Sequence, residues 1–227
     1  MCGRFTLTAE PTLLAERFAI DLASVAWQPS YNIAPSQQVL AVINDGTIQA
    51  CQLRWGLIPS WAKDPSIGNR MINARSETVA EKPSFRSALQ RRRCLVLADG
   101  FFEWRQDSRG KTPMYIRLHD HRPFAFAGLW DTWHDAAGTP LRSCTILTTE
   151  ANTLLQPIHQ RMPVILPPTA EATWLDHGVT TPTALLPLLV PYASEAVEAY
   201  AVSPLVNSPR HNTPACVAPV TLSEGHG

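Results

Sequence analysis

The chain has 227 residues, a formal net charge of zero, 45% apolar side chains and 17% charged ones, which excludes disorder as its main state and leaves room for one large domain or two small ones. Its longest apolar runs, such as Ala184 to Val190 with Pro187 inside it, are far short of the ~18 residues of a membrane span. The start, Met1-Cys2-Gly3-Arg4-Phe5, lacks the apolar stretch of a secretory signal.

In chain order, Thr8 to Phe18 reads as a short helix, with Thr8 as cap and Leu14 and Phe18 on one face. Val39 to Ile43 and Ile48 to Leu53 read as strands of a hairpin turning at Asn44-Asp45-Gly46. Trp55 to Arg70 is loop-like, and Ser84 to Arg91 is helical. Short apolar, β-branched runs follow at Leu95 to Ala98, Met114 to Leu118, Phe124 to Gly128 and Ser143 to Thr148. Thr169 to Leu175 and Thr183 to Leu189 read as helices, Val197 to Val202 as a late strand, and 222–227 as a frayed tail. There is no repeat, linker or βαβ alternation. The expected fold is α+β: one domain over 1–221 with a largely antiparallel β-sheet or barrel-like core flanked by short helices. The 20 prolines imply long loops.

Charge is unevenly spread. Arg54 to Arg117 holds 13 Lys and Arg against 6 Asp and Glu, while the flanks hold 6 against 13. The middle of the chain is thus able to form a basic surface under a neutral total. Arg91-Arg92-Arg93 reads as a solvated helix end rather than a contact site. Five widely spaced cysteines (Cys2, Cys51, Cys94, Cys144, Cys216) form no zinc or thioredoxin-like motif and imply free thiols in a reducing cytoplasm. His119-Asp120-His121 has no evident third ligand, so no metal and no cofactor is expected.

Cys2 carries the most chemical information. Removal of Met1 leaves an α-amine beside a thiol, with ordinary pKa values near ~7.7–8.0 and ~8.5, so both are partly nucleophilic at neutral pH. A 1,2-aminothiol condenses with an aldehyde: the amine forms an imine and the thiol closes a thiazolidine. The same pair also suits an N-terminal nucleophile with amine as base and thiol as attacker. On its own, Cys2 reads more readily as an accident of the second codon.

Gly3, Arg4 and Phe5 suggest a terminus that is turned and anchored. Four polar constellations lie further on in apolar company: Met71 to Glu77, Ala98 to Trp104, Thr148 to Asn152, and Ile158 to Pro163. Together with Tyr31 to Pro35 and Arg54 to Pro59, taken in order, they resemble the SOS-response-associated peptidase (SRAP) family of abasic-site processing proteins. The resemblance runs from Met1 to about Asn207.

That resemblance implies a DNA-damage protein of the SRAP fold that binds single-stranded DNA and attaches to abasic sites through Cys2. Asn73, Glu103 and His159 match the other catalytic positions. Glu103, between Phe102 and Trp104, is expected to have a raised pKa and to exchange protons with the Cys2 amine. The alternative for Glu103 is a rim carboxylate paired with Arg105 or Lys111. His159 suits protonation of the sugar ring oxygen, and Asn73 suits fixing the amine or a sugar hydroxyl. Arg4 and Arg75 fit phosphate contacts, with Arg86 as a further DNA contact, Trp61 as a stacking residue, and Thr148 and Asn207 lining the pocket. Ala62 stands where some relatives carry a second aromatic. The expected protein is a cytoplasmic monomer, nucleoid-associated on damaged DNA, with crosslink reversal and an AP-lyase side activity following from the same chemistry. Two other readings stand beside it: a self-processing cysteine peptidase or amidase, and a DNA-binding adaptor without chemistry.

Overall fold

The computed structural model describes residues 2–108 and 110–221, so the expected tail at 222–227 lies outside the described residues. Among the described residues there are thirteen strands: β1 (Phe5–Leu7), β2 (Ser30–Ile33), β3 (Gln38–Asn44), β4 (Ile48–Trp55), β5 (Asn73–Arg75), β6 (Arg93–Ala98), β7 (Gly100–Asp107), β8 (Gly110–Leu118), β9 (Phe124–His134), β10 (Pro140–Glu150), β11 (Arg161–Pro163), β12 (Ile165–Leu166) and β13 (Val197–Ala201). They form two sheets, one ordered β13-β8-β7-β1-β2, the other β11-β10-β4-β3-β6-β9-β12. In the second sheet β10 pairs with both β4 and β9, which closes β4, β3, β6, β9 and β10 into a barrel. Most pairings are antiparallel; β10 runs parallel to β4 and to β5. The expected α+β architecture with a barrel-like core is the one observed.

The barrel is filled by the alternating apolar faces of its strands. Val39, Ala41, Leu53, Val96, Phe126 and Ile146 share the inward face by register and are all buried. Phe5 reaches into this core, its ring 5.1 Å from Trp55 and 5.7 Å from Phe126, both edge-on. Burial of such a ring contributes roughly 1.5–3 kcal/mol, enough to fix the short strand that carries the amino terminus. A smaller second core, formed by Phe102, Tyr115, Val202, Val206 and Cys216, lies on the other face of β7 and β8. Gly100 starts β7 where a Cβ would sit 2.1 Å from the Tyr115 hydroxyl, so only glycine fits. Among the described residues no helix is long and apolar enough to cross a membrane.

Several expectations are corrected. The first helix, α1, spans Pro11–Phe18, and its N-cap residue is Glu10 with no side-chain cap. Thr8 instead gives its backbone N–H and hydroxyl to the Asp99 carboxylate, so that acid holds the turn after β1. The loop after Trp55 contains a 3-10 turn at Pro65–Arg70, started by Asp64 accepting from the Ser66 N–H. The expected helix at Thr183 to Leu189 is one short turn, Pro182–Leu185, followed by 3-10 geometry, because Pro187 supplies no donor for an α-helix. Arg93 is not a solvated helix end. It is buried and donates to the carbonyls of Leu89 (2.8 Å), Gln90 (2.8 Å), Trp174 (2.5 Å) and Asp176 (2.5 Å). One guanidinium thus satisfies the carboxyl ends of two helices, Arg86–Arg91 and Pro168–Leu175. His119 and His121 flank a turn and face Glu198, at 4.0 Å and 3.4 Å.

Candidate active site and nucleic-acid interface

The two sheets meet at the amino terminus. Cys2 lies three residues before the start of β1, and β1 pairs with β7 through Phe5–Phe101 and Thr6–Gly100. The backbone N–H of Phe102 also donates to the Arg4 carbonyl at 3.0 Å. This seats Cys2 beside the Glu103 stretch of β7. From the barrel, β10 carries β5 on one edge and β11 on the other, through Ile146–Asn73, Thr148–Arg75 and Glu150–Arg161. Asn73 is brought against Cys2, and its Nδ2 donates to the Cys2 carbonyl at 2.7 Å. The Asn73 Oδ1 is buried and has no hydrogen-bond partner among the described residues.

Burial governs the electrostatics. Cys2 is wholly buried, which pushes its thiol far above the ordinary range, and the Glu103 charge pushes it further. This corrects the expectation of a partly ionised thiol at neutral pH. Glu103 is 2% exposed, which excludes a rim carboxylate. Burial raises its pKa too, and His159 draws it partly back down. His159 Nδ1 sits against the Arg161 backbone, 3.0 Å from its N–H and 3.2 Å from its carbonyl oxygen, which fixes the ring's orientation in the cleft.

Glu103 and His159 open onto a cleft of about 690 Å³ whose walls also include Arg75, Trp104, Lys111 and Arg161. Arg161 is held by the Glu77 carboxylate at 2.5 Å and by the Thr148 carbonyl at 2.7 Å. Three cations on a cleft with one buried carboxylate suit an anionic ligand.

The structure therefore brings Cys2, Asn73, Glu103, His159 and Arg75 to one place. The other expected DNA contacts are arranged differently. Arg4 is half-buried and gives its Nη1 to Asn32 Oδ1 at 2.7 Å and the Val206 carbonyl at 2.6 Å, tying down the chain start from within. Trp61 is 59% exposed and lines, with Arg86, a separate pocket of about 270 Å³. Thr148 is buried within β10, its hydroxyl directed to the Ala74 carbonyl. Asn207 is exposed and accepts from the Trp104 indole N–H at 2.8 Å. Trp104, Lys111 and Arg161 are cleft residues that the sequence reading did not single out. Trp104 and Arg161 each had a signal, the first directly after Glu103 and the second two positions after His159 in the same motifs.

The family model described as SOS response associated peptidase (SRAP) matches residues 1–209. The abasic site processing protein YoqW of Bacillus subtilis strain 168 is 51% identical over 221 residues, 96% of this chain and 99% of that protein. The abasic site processing protein HMCES of Xenopus tropicalis is 33% identical over 272 residues, covering all of this chain and 81% of that protein. The crystal structure of a protein from Bacteroides thetaiotaomicron superposes with a TM-score of 0.89 at 28% identity, over 97% of this chain and 100% of the other. By sequence and by fold, this chain belongs to the SOS response associated peptidase family.

Proposed function

We propose that this protein binds single-stranded DNA and captures abasic sites as a thiazolidine on Cys2. The observation that carries the reading is the convergence of Cys2, Asn73 and Glu103 beside a cation-lined cleft. Relatives over nearly the whole chain that are named abasic site processing proteins support the substrate.

The chemistry requires loss of Met1. The Cys2 amine then attacks C1′ of the ring-opened abasic sugar and forms a carbinolamine. Water leaves, with the proton supplied by His159 or by the neutral Glu103 carboxyl, and an iminium remains. The thiol adds to the same carbon, its proton passing to Glu103 or solvent. In sum, aldehyde plus aminothiol gives thiazolidine plus one water. Because burial keeps the thiol protonated, the closing step needs an adjacent base, and Glu103 is the neighbouring carboxylate. Asn73 fixes the Cys2 carbonyl and keeps Oδ1 for an amine N–H. Arg75 and Arg161 take flanking phosphates. The same proton transfers, run backwards, release the DNA. An amine without a thiol stops at the imine, from which β-elimination gives lyase activity. A peptidase reading needs a thiolate attacker at neutral pH, and the burial of Cys2 opposes it.

The test is a denaturing gel of the protein with a single-stranded oligonucleotide containing one abasic site. A shifted band that resists heating supports capture. Absence of the band, or the same band from an oligonucleotide whose abasic sugar has been reduced to an alcohol, overturns it.

A further inference from the structure

The strand that carries the nucleophile is weakly held by its own pairing. β1 has three residues, pairs with β7 at two positions, and meets β2 across an irregular register between Phe5 and Leu7. The Phe5 ring in the barrel core fixes which face of β1 points inward. Thr6, the next residue, points the other way and is gripped there by one buried carboxylate. Asp99 is the single residue between β6 and β7, where the chain crosses from the barrel sheet to the second sheet. Its Oδ1 accepts from the Thr6 hydroxyl, and its Oδ2 accepts from the Thr8 N–H, the Thr8 hydroxyl at 2.7 Å and the Ala9 N–H at 2.9 Å. The Asp99 N–H donates in turn to the Thr6 carbonyl at 3.0 Å. The Thr6 hydroxyl also meets the Tyr115 hydroxyl at 2.9 Å, which ties the same point to β8.

We infer that Asp99 is a positioning residue for abasic-site capture: through Thr6 its carboxylate sets the separation of the Cys2 amine and thiol from the Glu103 carboxyl. This rests on the proposed capture and names a residue that acts on it from outside the cleft. The site is laid out evenly about the clamp. Cys2 stands four positions before Thr6, and Glu103 stands four positions after Asp99. Between clamp and site the Phe102 N–H donates to the Arg4 carbonyl at 3.0 Å, so the two arms run side by side. At their far end the thiol lies near enough to Glu103 for that charge to raise its pKa. Four donors converge on an ionised carboxylate, the stronger kind of hydrogen bond, which makes this point a firm origin for both arms. A misplacement of about 1 Å between reacting groups costs on the order of a hundredfold in rate. The cleft walls come from β5, β7, β8 and the stretch leading into β11, and no β1 residue is among them. Loosening the clamp therefore acts on the rate of bond formation and leaves DNA affinity in place.

The experiment separates rate, affinity and folding. Adduct formation with an abasic single-stranded oligonucleotide is followed under single-turnover conditions. Binding of an oligonucleotide with a tetrahydrofuran analogue, which has no aldehyde, is measured by fluorescence anisotropy. In Asp99→Asn the amide keeps one acceptor and sets its NH2 among donors. Its rate constant at saturating DNA is expected to fall roughly ten- to hundredfold, with the analogue bound within about twofold of the unmodified protein. Thr6→Val removes a clamp hydroxyl at nearly constant shape and should slow adduct formation in the same direction. It decides the question if Asp99→Asn does not fold. Arg93→Met, remote from the cleft, is the control for lost stability alone: it lowers the amplitude through fewer folded molecules and leaves the rate constant unchanged. An unchanged rate constant in Asp99→Asn, or in Thr6→Val where Asp99→Asn does not fold, overturns the inference. So does a loss of affinity for the analogue as large as the loss of rate, the mark of a cleft disturbed as a whole. An unmodified protein that forms no adduct overturns the capture reading and this inference with it, whereas adduct formed at equal rates by the unmodified protein and the variants removes only the positioning role.

Discussion

Asn73 Nδ2 donates to the carbonyl oxygen of Cys2 at 2.7 Å, a hydrogen bond that spans 71 positions of sequence. It joins the barrel sheet, through β5, to the chain start, and sets the bond vectors of the residue whose amine and thiol, in the proposed capture, both reach one carbon. Asn73→Ala removes this donor and the buried Oδ1 together. Adduct formation under single-turnover conditions should slow roughly ten- to hundredfold, the scale of a misplaced reacting group. An unchanged rate contradicts the positioning role.

Cys2→Ala separates the two nucleophiles. The variant keeps an α-amine after Met1 removal and loses the sulfur. It should give no heat-resistant adduct, yet still yield a crosslink when borohydride is added to trap the imine. A heat-resistant adduct formed without reductant by this variant would remove the sulfur from the mechanism.

Glu103 gives a stability test with a definite sign. Burial raises its pKa, so the folded state favours the protonated carboxyl. The resulting stabilisation is complete below the ordinary glutamate pKa of ~4.3 and is lost as pH rises through the raised value. Glu103→Gln cannot ionise, so its stability relative to the unmodified protein should increase between about pH 5 and pH 8. Urea unfolding at the two pH values measures this. A stability difference that is the same at both refutes the assignment. The same variant should also form adduct more slowly, since it can neither accept nor supply a proton.

Arg93→Met tests the fold rather than the site. The substitution leaves four carbonyl oxygens at the ends of two helices without their shared donor. Unmade bonds of buried carbonyls predict a loss of roughly 2–4 kcal/mol, read from the urea midpoint. A loss below about 0.5 kcal/mol, the range of ordinary surface substitutions, contradicts the arrangement.

Much of the barrel was legible in the chain because its strands alternate or run apolar between turn residues. The hairpin at Asn44-Asp45-Gly46 is present, with Gly46 at φ +114° as its turn demands. The strands that build the site were harder to read. β1, β5 and β11 have three residues each, too few to show a period, and their pairing is set by partners distant in sequence. β7 contains Gly100 and the polar run Glu103-Trp104-Arg105-Gln106, which masks its strand character. Cys2 stood out by its place after Met1, whereas Asn73, Glu103 and His159 were legible only as members of ordered motifs, since no local spacing links them. The direction of the Cys2 thiol shift was missed because burial is a property of the assembled core. Arg93 was misread for the same reason: a run of three arginines looks solvated until the carbonyls that need a donor are in view.

The central claim is that sulfur and amine of one residue close on one aldehyde carbon. Intact mass spectrometry of the protein after reaction with an abasic oligonucleotide, followed by peptide mapping, addresses it directly. The account predicts a species equal to the Met1-less protein plus the oligonucleotide minus one water, with the modification confined to Cys2. A protein confirmed to begin at Cys2 that gives no such mass, or carries the DNA on another residue, contradicts it.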